Sequence, residues 1–294
     1  MAVEARRAET LAASAAASRR PPRWRRLASN RNLVMGLLIL LAIALLGIFA
    51  PLLTPYDPYT QNYNVTLLSP RLAHPFGTDE FGRDILTRVF YGARIDLRVG
   101  FISVISPFII GILLGSVAAY FGGWVDTIVM RAVDIVQAIP FIVLIIAVVA
   151  ILGPGLSNMY IAVAVVAWIV YARLIRSEIL VQKEQEYVIA AKAIGMGDLR
   201  LILRHLMPNT ITTCIVYACA DIALYILLAA ALSYLGLGAK PPTPEWGAMI
   251  TEGQSYMTTA WWMSALPGLA IIVTGIGLSL IGDGLSDILR PGTR

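Results

Sequence analysis

The sequence predicts an all-α integral membrane protein with six transmembrane helices. Three observations carry that prediction. First, 58% of the 294 residues are hydrophobic and only 14% are charged, with a mean hydropathy of +0.74, which excludes an ordinary soluble domain. Second, apolar runs at 33–53, 99–120, 133–152, 156–172, 211–235 and 261–281 are each near the ~17–25 residues that cross a ~30 Å hydrocarbon layer as a helix. Third, alternation at period two is absent, which removes a membrane β-barrel and leaves helices to satisfy the backbone in lipid.

Residues 1–32 are rich in Ala, Ser and Arg, with eight Arg against two Glu, and read as a disordered basic cytoplasmic tail. The first apolar run starts at Leu33, is too long for a signal sequence, and is closed by Pro51 and Pro55. It is expected as an N-terminal span over 33–53, followed by an extracytoplasmic segment over 54–98. Residues 99–282 form a five-helix core, and 283–294 a short C-terminal stub. Lys and Arg orient the whole: eight in the tail, six against four acids in 173–208, and Arg290 and Arg294 at the end. Six spans place those three segments on one side, which the positive-inside rule makes cytoplasmic. The five Arg of 54–98 are balanced by five acids, and long loops obey the rule poorly.

The most polar break between spans, within 182–209, reads EYVIAAKAIGMGDLRLILRHLMPN from Glu186 to Asn209. It predicts two short helices. Val188, Ile189, Ala191 and Ile194 are interleaved with polar residues in the first. Gly195 and Gly197 break the chain, and Asp198 is placed to cap the second. That second helix carries the stripe Leu199, Ile202, Leu203 and Leu206, with Arg200 and Arg204 opposite, and Pro208 is expected to end it. Small residues at Ala190 and Ala191 allow another protein to approach closely, and Gly195 permits a turn that a Cβ would obstruct. An amphipathic helix lying on lipid headgroups is the other use of such a segment. No GxxxxGK[ST] phosphate loop occurs anywhere in the chain.

Single residues add further expectations. Asp221 is the one charge deep in a span, where a carboxylate costs about 2.5–3.5 kcal/mol unless it faces protein or water. Gln137 and Pro140, in the third span, are weaker path-lining candidates, and Pro140 is a bend point. Asp79, Glu80, Arg83 and Asp84 cluster outside the membrane, with Thr78 or Asp79 as the expected helix cap. The segment Pro241 to Trp246 is rigid and aromatic. Gly111 and Gly115 permit close helix packing. Cys214 and Cys219, five apart on one helix, face different directions.

The pattern Ala190-Ala191, three residues, Gly195 and a closing Met207-Pro208 resembles the coupling-loop motif of ABC importer permeases. The likeness extends from about His74 to Pro291 and is similar to the dipeptide/oligopeptide/nickel importer family. It is carried by HPFGTDEFGRDILTRVFYGAR (74–94), YFGGWVDTIVMRAVDIVQAIP (120–140), ILGPG (151–155), YARLIRSEIL (171–180), LSYLGLGAKPPTPEWGAMI (232–250) and PGLAI (267–271). The extra N-terminal span and GTDEFGRD resemble the second permease subunit of that family. The chain departs from the wider class at Ile189, where Glu is usual, and at Ala229, in a stretch where an acid is common.

The resemblance implies a type I ABC importer permease fold with a cytoplasmic coupling helix in the cytoplasmic membrane. It implies coupling through Glu186, Ala190, Ala191, Gly195, Asp198, Arg200 and Pro208. Asp221, Gln137 and Pro140 are then candidates for the translocation path, and Asp79, Glu80, Arg83, Asp84 and Trp246 for the face toward a binding protein. The implied partners are a homologous permease in a heterodimer, two ATPase subunits or one fused ATPase, an extracytoplasmic substrate-binding protein and membrane lipids, with no nucleic acid. The chain itself is expected to hold no cofactor, with ATP and Mg²⁺ in the ATPases, and to be no enzyme. Peptides are the expected solute, with nickel, haem or glutathione as alternatives. A proton-coupled secondary transporter using Asp221 is the alternative from another class, although one deep acid standing alone fits it poorly.

Overall fold

In the computed structural model, residues 29–289 are described, and among them α-helix dominates and no strand forms. Of the tail expected over 1–32, residues 1–28 lie outside the described residues, as do 290–294. Helix α1 (Arg31–Ile48) starts where the Asn30 side chain accepts a hydrogen bond from the Leu33 amide. It breaks at Phe49 and continues as one short turn, α2 (Ala50–Leu53), with Pro51 in the first turn where its missing N–H is not needed. The segment from Thr54 to Asp84 is irregular apart from a 3₁₀ turn at Tyr63–Val65.

Helix α3 (Ile85–Phe121) runs 37 residues without interruption and absorbs the end of the segment expected outside the membrane. Its cap is Asp84, not Thr78 or Asp79: the Asp84 carboxylate accepts from both the amide and the hydroxyl of Thr87, at 2.8 and 2.7 Å. Thr78 instead bridges Leu68 and Val65, and Asp79 is engaged elsewhere. The Gly111/Gly115 pair does what its spacing predicts. A Cβ at these positions would fall 2.4 Å from the Trp168 carbonyl oxygen and 2.3 Å from that of Ala172. The bare glycines let α3 lie directly on the backbone of α6 (Leu156–Gln182).

The run expected as one span over 133–152, with a bend point at Pro140, is broken there. Helices α4 (Gly123–Gln137) and α5 (Phe141–Leu152) meet at 86°. The cause is local: Pro140 offers no N–H and disfavours helical geometry at Ile139, so the ladder stops at Ala138. The next helix begins immediately after α3, so the stretch 121–132 between the second and third apolar runs is mostly helix. The shortest apolar run, 156–172, is also only part of its helix, since α6 extends to Gln182.

A short helix α7 (Glu186–Ala193) leads to α8 (Asp198–Leu201), a π-helical turn (Ile202–Leu206), and α9 (Met207–Tyr234). Pro208 does not end a helix. It lies in the first turn of α9, and the wider π turn before it accommodates the ladder bond that proline cannot make. Asp198–Tyr234 is therefore one continuous helical stretch of 37 residues. α10 (Trp246–Gly253) and α11 (Trp262–Leu289) follow, and α11 incorporates most of the expected C-terminal stub. Among the described residues, five helices are long and apolar enough to cross a membrane, and the bent α4–α5 pair makes six if it counts as one crossing.

Candidate functional site

The coupling segment divides its residues between the protein and open space. Val188, Ala191, Leu201, Ile202 and Leu206 are buried and dock α7, α8 and the π turn on the bundle. Ile189, Ile194, Leu199 and Leu203 point outward, with Ile194 81% and Leu199 70% exposed. The apolar stripe Leu199, Ile202, Leu203 and Leu206 is thus split, two residues buried and two exposed. Glu186, Ala190, Gly195, Asp198, Arg200 and Pro208 are also exposed, and Ala191 alone of the coupling candidates is buried.

Gly195 has φ +81°, a left-handed conformation that disfavours any side chain, yet nothing lies within 4 Å of where its Cβ would be. Conformation, not crowding within the chain, is what demands glycine here. Asp198 does not cap α8, because Gly197 occupies the cap position; its carboxylate accepts from the Tyr120 hydroxyl instead. Tyr120 also carries Lys192 over its ring at 5.0 Å, and Lys183 reaches the Ala119 carbonyl at 3.2 Å. The end of α3 therefore clasps both halves of the segment. Bidentate bonds of 2.6 and 2.5 Å from Arg176 to Asp126 fix α4 beside α6 at the same end of the bundle.

The three path candidates converge. Gln137 and Pro140, at the break of the third span, and Asp221, on α9, line one cavity of about 270 Å³, together with Val166, Ala167 and Val170 of α6 and with Tyr217 and Tyr225. Asp221 is 4% exposed. Its Oδ2 accepts from the Tyr171 hydroxyl at 2.6 Å and from Tyr225 at 3.4 Å. Tyr171 is held in turn between Phe108 and Tyr217, edge to face at 5.4 and 5.7 Å. The tyrosines are residues that sequence reasoning missed. Tyr217, Asp221 and Tyr225 repeat every four positions, so their shared helix face was readable; Tyr171, fifty residues away, was not.

The outer cluster is buried, which corrects its expected place at a docking face. Asp79, Arg83, Asp84 and Trp246 are each at most 3% exposed, so they cannot present themselves to a docked protein. Asp79 Oδ2 accepts from Arg83 Nε at 2.6 Å and from Arg88 Nη1 at 2.5 Å, and Glu252 of α10 joins both arginines at 3.0 and 2.9 Å. Asp84 Oδ1 lies 2.9 Å from His74 Nδ1, and the Tyr56 ring stacks on the same imidazole. Glu80 is the most accessible of the set; burial pushes its carboxyl above the usual range, with Asp79 and Glu252 adding like charge. Trp246 donates its indole N–H to the Val89 carbonyl at 3.0 Å and fills space above Gly92. Nothing in the sequence signals the Arg83–Glu252 pairing, made across 169 positions.

Comparison with known proteins agrees with this architecture. Residues 111–294 match the family described as "Binding-protein-dependent transport system inner membrane component", and residues 23–70 match the N-terminal TM domain of oligopeptide transport permease C. The chain is 44% identical over 268 residues to the dipeptide transport system permease protein DppC of Alkalihalophilus pseudofirmus, which covers 91% of this chain and 88% of that protein. It is 42% identical over 274 residues to the di/tripeptide transport system permease protein DppC of Pseudomonas aeruginosa, covering 91% and 90%. It is also 42% identical over 269 residues to the glutathione transport system permease protein GsiD of Escherichia coli, covering 91% and 89%. A solved structure of the MetNI methionine ABC transporter in an inward-facing conformation aligns with a TM-score of 0.56 at 20% identity, covering 70% of this chain and 97% of that one. The fold is that of a type I ABC importer permease. The chain belongs to the family of inner-membrane components of binding-protein-dependent transport systems. It is the membrane-spanning permease subunit of such an importer, and ATP hydrolysis belongs to other subunits.

Proposed function

We propose that the chain translocates short peptides by alternating access, as one half of a heterodimer with a homologous permease. In this reading the basic tail and coupling segment are cytoplasmic, and the Thr54 to Asp84 segment faces a peptide-loaded binding protein outside. The single observation that carries the mechanism is the continuous helix Asp198–Tyr234. It joins an exposed apolar surface at Leu199 and Leu203 to a cavity at Asp221. Movement imposed on α7 and α8 by a closing ATPase reaches the cavity through that helix. The relatives named for dipeptide and di/tripeptide transport, one of them 44% identical, support a peptide solute over glutathione.

The test is Gly195→Trp in the complete importer, assayed for dipeptide uptake beside glutathione, nickel and haem. The left-handed backbone at Gly195 makes the change cost roughly 1–2 kcal/mol locally, so the subunit still inserts and assembles. Uptake of dipeptide is expected to fall by more than about tenfold while ATP hydrolysis persists, a transport-barrier change above 1.4 kcal/mol. Normal uptake by an assembled complex would overturn the coupling assignment. Orientation is checked with single-cysteine variants at Thr60 and Ala193: an impermeant maleimide applied to intact cells labels Thr60→Cys and spares Ala193→Cys. The reverse pattern would invert the topology.

A further inference from the structure

We infer that the Asp221 carboxylate receives a primary ammonium group, the amino terminus of the passing peptide. This rests on the peptide-permease reading and adds the atom that grips the substrate. The cavity holds one acid and no Lys or Arg among its lining residues, and no ion pair to Asp221 forms among the described residues. A carboxylate kept in an apolar bundle without a cation suits a ligand that brings one. Its direction is fixed, because Tyr171 is itself wedged between two aromatic rings and holds Oδ2 at 2.6 Å. Tyr217 and Tyr225 stand one helical turn to either side of it on α9 and line the same cavity. A carboxylate flanked by aromatic rings is a general receptor for ammonium, combining charge-assisted hydrogen bonding with attraction to the ring faces.

Gln137, on α4, also lines the cavity and brings an amide carbonyl that can accept a second ammonium N–H. The remaining walls, Phe141, Val166 and Leu224 among them, are apolar and carry no directional group. Such a site reads what all α-peptides share, the amino terminus, and is indifferent to their side chains. A divalent cation fits poorly: no group of three His, Cys, Asp or Glu side chains gathers anywhere among the described residues, and hard cations need several oxygen ligands.

The experiment uses the assembled permease–ATPase complex in nanodiscs without its binding protein, so that selection upstream does not intrude. The probe is an alanyl dipeptide with benzoylphenylalanine at its second position, with the amino terminus free or acetylated. Photolabelled sites are mapped by mass spectrometry. For the wild type, the free-amine probe labels the α6 and α9 cavity walls, and acetylation lowers the yield roughly tenfold, the scale of one charge-assisted hydrogen bond. Asp221→Asn brings the free-amine probe down to the acetylated level and leaves the acetylated probe unchanged, while Asp221→Glu retains the discrimination. Equal loss of both probes in Asp221→Asn would assign Asp221 a packing or protonation role and overturn the inference. Undiminished discrimination in that variant would do the same. Uptake of a radiolabelled dipeptide by the wild-type importer separates the two levels. If peptide enters but labelling ignores the amine, only the ammonium assignment falls; if no peptide enters, both readings fall.

Discussion

The outer ion cluster and the coupling segment are the two most charged stretches of the structured chain, and they use the same residue types in opposite ways. Arg83, Arg88 and Asp79 are sealed within the protein and paired with one another and with Glu252, although Arg88 Nε and Nη2 find no acceptor there. Arg200, Arg204 and Glu186 stand in the open beside exposed leucines and isoleucines. A buried charge network fixes a shape: it ties the segment after α2 and the start of α3 to α10, which precedes α11. The exposed face of the coupling segment mixes apolar and charged groups, as protein interfaces do. Sequence composition treats the two stretches alike. Burial separates them.

The sharpest way to break this comparison is Asp79→Ala. It leaves two guanidinium groups, on Arg83 and Arg88, short of their shared acceptor at a site about 1% exposed, and breaking a buried pair costs about 3–5 kcal/mol. Thermal unfolding of the purified complex in nanodiscs is expected to shift down by several degrees, with little folded subunit recovered. An unchanged midpoint would return the cluster to a surface role. A smaller effect sharpens the other side. Leu199→Asp alters a 70% exposed residue, so stability should hold within about 0.5 kcal/mol while affinity for the ATPase falls. Pull-down of the ATPase against the same unfolding assay reads both quantities. A destabilised subunit with intact ATPase binding would show that Leu199 packs within the permease.

Most of the fold was legible because membrane spans are announced by long apolar runs, and the coupling segment because helix-forming polar sequence between spans is conspicuous. The exceptions share a cause. Pro140 was read as a bend, but its residue type does not announce a break as sharp as 86°. Pro208 was read as a stop, because a π turn that rescues a proline leaves no mark in residue order. The GTDEFGRD charges were read as exposed, since sequence cannot display the Glu252 that buries them from the far side of the chain. At the cavity the individual residues Gln137, Pro140 and Asp221 were visible, but their convergence needed the bend.

The unbroken stretch from Asp198 to Tyr234 has a mechanical consequence. Asp198 and Asp221 are about 23 residues apart, roughly 35 Å along a helix rising 1.5 Å per residue. A rigid rod of that length acts as a lever. A tilt of only about 5° about its Asp198 end sweeps Asp221 sideways by about 3 Å, the span of one hydrogen bond. The 2.6 Å bond to Tyr171 on α6 is therefore shorter than the stroke that a modest push at the coupling end delivers. The π turn at Ile202–Leu206 sits near the fulcrum, where a small change of winding is geared up into the largest displacement at the far end.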